Sequence, residues 1–442
     1  MAKKQLTIEE KLEAALVPVE EQPYKVPENW CWSYLENVCQ IIMGQSPKGA
    51  DTTLDDSYTP LIGGAADLGD TAPIINKYTK SVTKLSQCGD LIICIRATLG
   101  RPVIADGEYC LGRGVAGFRL SRIDVSFLRF FFINFERYLY DNATGSTFAQ
   151  VTSKVLGKMP IPLPPFLEQS RIVARIESLF TKLDEAKEKI QEVLDGADLR
   201  RAAILHQAFT GKLTEKWRKE NNNIGQDRWE KKQLKDCCDI GSGGTPSRKV
   251  DVYYQGNISW VKTGEINWNK IYETEEHISE EAIKNSSAKL YQEGTVLVAM
   301  YGMGVTRGRA AILQIASATN QAVCALQPKE QLKNKFLFYY FMNNYWIIRE
   351  KSVGGNQLNL SGKIIGKLEI NLPTITEQQE IVRLLDNLLS REQSTVTACK
   401  EALNTIETLK KSILARAFRG ELGTNAPGEA SAKELLKEIL VS

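Results

Sequence analysis

The chain has 442 residues, of which 25% are charged and 43% apolar, and 56 basic against 53 acidic residues leave a net charge of +3. That length is a prior for about three compact units, and the near balance of charge excludes a uniformly basic nucleic-acid binder, so any basic surface has to be local. No run approaches 18 consecutive apolar residues, and the nine cysteines are odd in number with no CxxC pair, which predicts a soluble cytoplasmic chain with no membrane span and with reduced, mostly buried thiols.

In chain order, the sequence predicts an N-terminal arm and first globular region over residues 1–165 and a long helix over 166–213. A polar linker and second globular region follow over 214–374, then a second long helix over 375–422 and a tail helix over 423–442. The arm contains TIEEKLEAAL, an amphipathic helix and not a signal peptide. Trp30 to Pro165 is Gly-rich with short β-type runs. From Glu168 to Phe209 the apolar residues Ile172, Ile176, Leu179, Leu183, Ala186, Ile190, Val193, Ala197 and Ile204 step by four and three, the spacing of a coiled-coil seam that Arg200 interrupts.

The second long helix repeats the first. Residues 127–213 and 336–422 align without a gap at an offset of 209, and the second seam is weakened at Glu392 and Thr395. Thr376 with Gln379 reads as a capping box at its start, and Gly211 and Gly420 stand where C-terminal caps belong. The globular regions are related more weakly, at an offset of 199: Trp30, Leu35, Cys39, Ile41, Gly44 and Pro47 match Trp229, Leu234, Cys238, Ile240, Gly243 and Pro246, while residues 50–125 and 250–335 share little beyond pattern.

The expected fold is α+β: two similar mixed α/β regions separated by two long antiparallel coiled-coil helices, pseudo-twofold and near-circular, with the tail AKELLKEIL beside TIEEKLEAAL. At about 1.5 Å per residue, each helix of some 42 residues spans roughly 63 Å.

No catalytic or metal-binding constellation is legible. His206 and His277 are the only histidines, SGKIIGK at Ser361–Lys367 has the wrong spacing for a P-loop and reads as a strand-edge repeat of TSKVLGK, and Asp184 with Glu185 reads as a solvated helix face. A GxGxxG opening a βαβ unit and an Asn-Pro-Pro-Tyr loop for a flipped base are both missing.

What recurs is Gly-rich loops carrying the side chains that read base edges and phosphates. MGQSPK supplies Gln45, Ser46 and Lys48, and SGGTPSRK supplies Ser242, Thr245, Ser247 and Arg248. GSTFAQV supplies Ser146, Thr147 and Gln150, and GGNQLNL supplies Asn356, Gln357 and Asn359. Arg96, Arg101 and Arg113 in the first region, with Lys262, Tyr301, Arg307, Asn320 and Gln321 in the second, complete a candidate DNA-binding set. Taken singly, each loop equally fits a tight turn at a strand end; recurrence at matched positions favours binding.

Through VPENW, SGGTPS, GNQLNL, the paired Leu-Pro…Glu-Gln helix starts and the AFTGKL and AFRGEL helix ends, the chain resembles, over essentially its whole length, the DNA-specificity subunit of type I restriction-modification systems. The resemblance implies two target recognition domains that read a bipartite double-stranded DNA target, with the helices as spacer across unread base pairs. It implies two methyltransferase subunits as partners, and motor-nuclease restriction subunits for cleavage. S-adenosylmethionine, ATP and Mg are then expected on those partners, with no cofactor and no catalysis on this chain. The modules differ where targets would differ, Gln45 and Ser46 standing against Gly244 and Thr245. The rival reading is a duplicated coiled-coil adaptor that binds protein.

Overall fold

The computed structural model describes residues 7–145, 148–221, 229–302, 304–352 and 359–441. They form two compact units, Met1–Ile190 with Glu401–Ser442, and Gln191–Lys400. Five helices frame them: α1 (Ile8–Ala15), α2 (Phe166–Asp195), α3 (Ala197–Phe209), α4 (Ile375–Ala417) and α5 (Ala432–Val441).

The first long helix runs from Phe166 to Phe209 with a one-residue interruption at Gly196 between α2 and α3, whereas α4 runs 43 residues unbroken with Thr405 at the matching place. Glycine in a helix interior costs about 1 kcal/mol relative to alanine, which localises the break. Two smaller expectations also change. The N-terminal cap of α4 is Thr374 rather than Thr376, its hydroxyl accepting the Glu377 amide at 3.4 Å. SGKIIGK is a capped helical turn, Gly362–Gly366, and not a strand edge; Ser361 accepts the Ile364 amide at 3.2 Å, as Thr152 accepts the Val155 amide at 3.3 Å in the other copy.

Each unit contains the same two-sheet plan. In the first, Cys39–Met43, Val115–Leu120, Leu91–Cys94 and Gly100–Ile104 make an antiparallel sheet. Beside it Thr59–Ile62 runs parallel to Tyr109–Leu111, which pairs in turn with Leu85–Ser86. In the second, the corresponding sheet runs Cys238–Ser242, Val323–Pro328, Val296–Ala299, Ala310–Leu313, and Ile258–Val261 runs parallel to Ser317–Thr319, which pairs with Leu290–Tyr291. The strands Leu91–Cys94 and Val296–Ala299 are buried on both faces, as continuous apolar runs predict. The shared frame thus reaches into the stretch whose sequences have diverged.

Each core is closed by the helix end of the other repeat copy. Phe418 packs on Phe127 with ring centroids 5.2 Å apart in the first unit, and Phe209 packs on Phe336 at 5.0 Å in the second. These are the same two positions of the repeat. Within the first unit Lys187 pairs with Glu407 at 2.9 Å and Asp184 with Lys410 at 2.5 Å; within the second Arg200 pairs with Glu392 at 2.7 Å. In the first unit numbers that rise on one helix fall on the other, so the seam there is antiparallel. In the first unit α1 also packs against α5, with Leu12 and Leu16 on one side and Leu435, Leu436 and Ile439 on the other sharing one core.

The Glu-Gln pair at each helix start is a buried polar node. The Glu168 carboxylate accepts from the Trp30 indole at 2.8 Å, Asn425 at 3.0 Å and Thr424 at 3.3 Å. The Glu377 carboxylate accepts from Thr214 at 2.8 Å, the Trp229 indole at 3.1 Å and the Arg218 guanidinium. Gln169 and Gln378 donate to the carbonyls of Pro164 at 3.2 Å and Pro373 at 2.9 Å, and accept the amides of Asp124 and Lys333, both at 2.9 Å. The segment between α4 and α5 thus serves Glu168 as the segment after α3 serves Glu377.

Removing one partner of a buried ion pair leaves the other charge stranded, at a cost of about 3–5 kcal/mol. Glu377→Ala, which strands the buried Arg218, is expected to lose that much in urea unfolding followed by circular dichroism. Glu168→Gln, facing no buried cation, should lose about 1–2 kcal/mol. Equal losses for the two would contradict this account of the nodes.

Candidate nucleic-acid interface

Strand register decides which loops share an end of each sheet. In the first unit Met43 lies opposite Ala116, Val115 opposite Cys94, and Cys94 opposite Gly100, so residues 44–48, 95–99 and 111–114 leave at one end. Glycines let these loops meet backbone to backbone: a Cβ on Gly44 would stand 2.1 Å from the Gly112 carbonyl oxygen, and one on Gly114 2.2 Å from that of Gly63. Residues 149–151 join them, because Ala97 donates to the Ala149 carbonyl at 2.8 Å, Val151 to that of Ile95 at 3.0 Å, and Arg96 bridges Gln150.

Gln45, Ser46, Lys48, Arg96, Arg101, Arg113 and Gln150 therefore gather at one end of one sheet, all exposed except the half-buried Arg96. The Ser46 hydroxyl accepts the Arg113 amide at 3.2 Å. Arg101 spends one donor on the Ala65 carbonyl at 3.1 Å, whereas the side chains of Lys48, Arg96 and Arg113 form no ion pair among the described residues. Ala97 (φ 66°) and Arg101 (φ 53°) occupy the left-handed region, a backbone cost accepted more often at functional turns than elsewhere.

The second unit repeats the arrangement with other side chains. Ser242 lies opposite Cys324, Val323 opposite Ala299 and Val298 opposite Ala310, which brings residues 243–248, 300–302, 304–309 and 320–322 to one end. Gly243, the counterpart of Gly44, is equally tight: its Cβ would stand 2.0 Å from the Thr319 carbonyl oxygen. Leu360 donates to the Met300 carbonyl at 2.9 Å and carries Asn359 there. Thr245 donates to Gln321, Thr263 donates to Asn320 at 3.2 Å, and the Tyr291 hydroxyl holds the Ser242 carbonyl at 3.0 Å. Ser247 is exposed beside them.

Charge is handled differently here. Arg248 lies 4.1 Å from the Tyr254 ring centroid and 2.6 Å from Glu276, and Lys262 reaches Glu275 at 2.8 Å and Glu276 at 3.1 Å. The Arg248 bond, reinforced by Lys262, holds the Glu276 carboxyl below its ordinary value. Both candidate cations are thus already matched. Arg307 is half-buried, and burial followed by repulsion from Arg349 lowers its guanidinium from the ordinary value. Tyr301 packs against the core. Ser146, Thr147, Asn356 and Gln357 lie outside the described residues.

Sequence reading missed Arg349, which pins residues 304–307 by donating to the carbonyls of Gly304 and Arg307, both at 2.6 Å. It also missed Glu276, whose only signal was an acid in a polar strand. Among the described residues no group of three or more His, Cys, Asp or Glu could hold a metal. The cysteines are free thiols, six of them buried, and burial pushes those of Cys238 and Cys324 up to about 12, which makes them poor nucleophiles.

The family model of the type I restriction modification DNA specificity domain matches this chain twice, over residues 27–195 and 226–405. The type I restriction enzyme EcoKI specificity subunit of Escherichia coli K12 is 25% identical over 451 aligned positions, 94% of this chain and 96% of that protein. A putative type I restriction enzyme MjaX specificity subunit of Methanocaldococcus jannaschii is 32% identical over 196 residues, covering 43% of this chain and 44% of that relative. The HsdS subunit from Thermoanaerobacter tengcongensis has the same fold, with a TM-score of 0.67 at 21% identity over 91% of this chain and all of that one. A chain from a study of complex assembly and conformational transition in the type I R-M system gives 0.68 at 20% identity over 90% of this chain. With two matched loop-bearing sheet ends and two copies of the family's domain covering most of its length, the chain belongs to the type I restriction-modification DNA specificity family.

Proposed function

We propose that this chain is the non-catalytic specificity subunit of a type I restriction-modification complex. It reads a double-stranded DNA target as two half-sites with an unread gap. The observation that carries this is the pair of equivalent sheet ends, each with a tightly packed glycine at the matched position (Gly44 and Gly243) but bearing different polar side chains. Residues 1–165 and 214–374 then act as target recognition domains, 166–213 and 375–422 as spacer helices, and 423–442 as a tail helix that completes the first unit. The loops enter major grooves, where Ser, Thr, Asn, Gln and Arg discriminate base edges. The two long helices set the distance between half-sites, as dimer geometry does for palindromic sites.

The repeated outer faces of the helices would each dock one methyltransferase subunit, with motor-nuclease subunits joining for cleavage in the cytoplasm. S-adenosylmethionine, ATP and Mg would be held by those partners, and this chain would supply address and spacing.

Three outcomes follow. Deleting one heptad from each helix removes about 10 Å of rise and should shorten the recognised gap by up to about 3 base pairs; a folded variant with an unchanged gap contradicts the ruler. In fluorescence anisotropy with target duplex, Arg113→Ala and Lys48→Ala should weaken binding and each reduce the salt slope by about 1. Arg248→Ala should change the slope less, because its charge is already matched by Glu276; a larger slope change there would reverse this assignment. Purified chain alone should move no label from S-adenosylmethionine to DNA, and transfer without a partner would make it an enzyme.

A further inference from the structure

Arg200 in the first seam and Glu392, one of two weak points in the second, are residues that interrupt the apolar stripes, and they meet. The Arg200 Nε lies 3.1 and 3.2 Å from the two Glu392 carboxylate oxygens and a terminal nitrogen lies 2.7 Å from one of them, a forked pairing in which the Glu392 side chain is only 10% exposed. The other reach of the guanidinium is backward across the helix break: it donates to the Val193 carbonyl at 2.7 Å and fills the space above Gly196, where a Cβ would stand 2.7 Å from Arg200. The break in the first helix, the arginine that spans it and the unbroken partner helix are one assembly.

The repeat supplies its own control. At the counterpart positions stand Leu183, Leu409 and Thr405, and there the helix continues without a break. The glycine, arginine and glutamate thus occur together only once, where the other copy has a threonine and two leucines. A charged pair in place of two leucines is a poor way to add stability and a good way to specify geometry, and a glycine left unspanned would be a flex point.

We propose that Gly196, Arg200 and Glu392 form a clamp that stiffens the helix pair and thereby confines the target to a single gap length, making Arg200 and Glu392 positioning residues for DNA selection. This rests on the reading of the helices as a ruler. The test expresses the chain with its methyltransferase partner in cells, maps modified bases by single-molecule sequencing and sorts the sites by gap. Wild type should show one gap. Arg200→Ala and Glu392→Ala should add sites one base pair longer or shorter, and the double variant Arg200→Ala with Gly196→Ala, which heals the helix by propensity, should return to one gap. Amides of residues 193–200 should exchange at least about tenfold faster in Arg200→Ala than in wild type or the double variant. A single gap in both alanine variants, with the heptad deletion still shifting the gap, overturns the clamp and leaves the ruler standing. A gap unmoved by every variant overturns both.

Discussion

The buried carboxylate at the start of each long helix is the interaction on which the rest depends. Glu168 and Glu377 are almost wholly buried, and a buried carboxylate persists only when its oxygens are fully hydrogen-bonded. Each therefore gathers the groups that must come together: the tryptophan that opens its globular region, and the threonine of the segment that follows the other helix. The neighbouring glutamine secures the Pro turn before the helix and the start of the Phe-rich helix beside it. Strand, helix start and returning chain are thus fixed at one point, and the Phe418–Phe127 and Phe209–Phe336 contacts extend that fixation into the two cores.

On this frame the two modules spend charge differently. In the first, Lys48 and Arg113 are exposed, and their side chains form no ion pair among the described residues. In the second, Arg248 and Lys262 face Glu275 and Glu276, beside the polar groups Thr245, Asn320 and Gln321. A net charge of +3 on the whole chain thus conceals a local difference, Lys48 and Arg113 lacking an ion pair among the described residues while Arg248 and Lys262 are matched. Phosphate attraction should be concentrated on the first module and base selection shared by both.

Much of the frame was legible because the repeat is gapless and its periodicity strong: Leu-Pro, Glu-Gln and Ala-Phe recur at one offset, and each recurrence is a matched contact. Periodicity could not reveal the break at Gly196, because the apolar residues on either side keep the seam in phase. Nor could it show that Arg200 and Glu392, each a blemish in its own seam, answer one another; that requires the antiparallel register. At the proposed recognition ends the loops were picked out by glycine and polar composition, but composition is blind to partners, so Arg248 and Lys262 looked as available as Arg113. The acid that matches them is distant in sequence and lies on a separate strand, Glu276–Ile278.

The most direct measurement of the central claim is a map of modified bases in genomes of cells with and without this chain, its methyltransferase partner present in both. Two specified half-sites separated by one fixed run of unspecified base pairs, modified only when the chain is present, is the predicted result. A contiguous motif, or a map that does not depend on the chain, would contradict it.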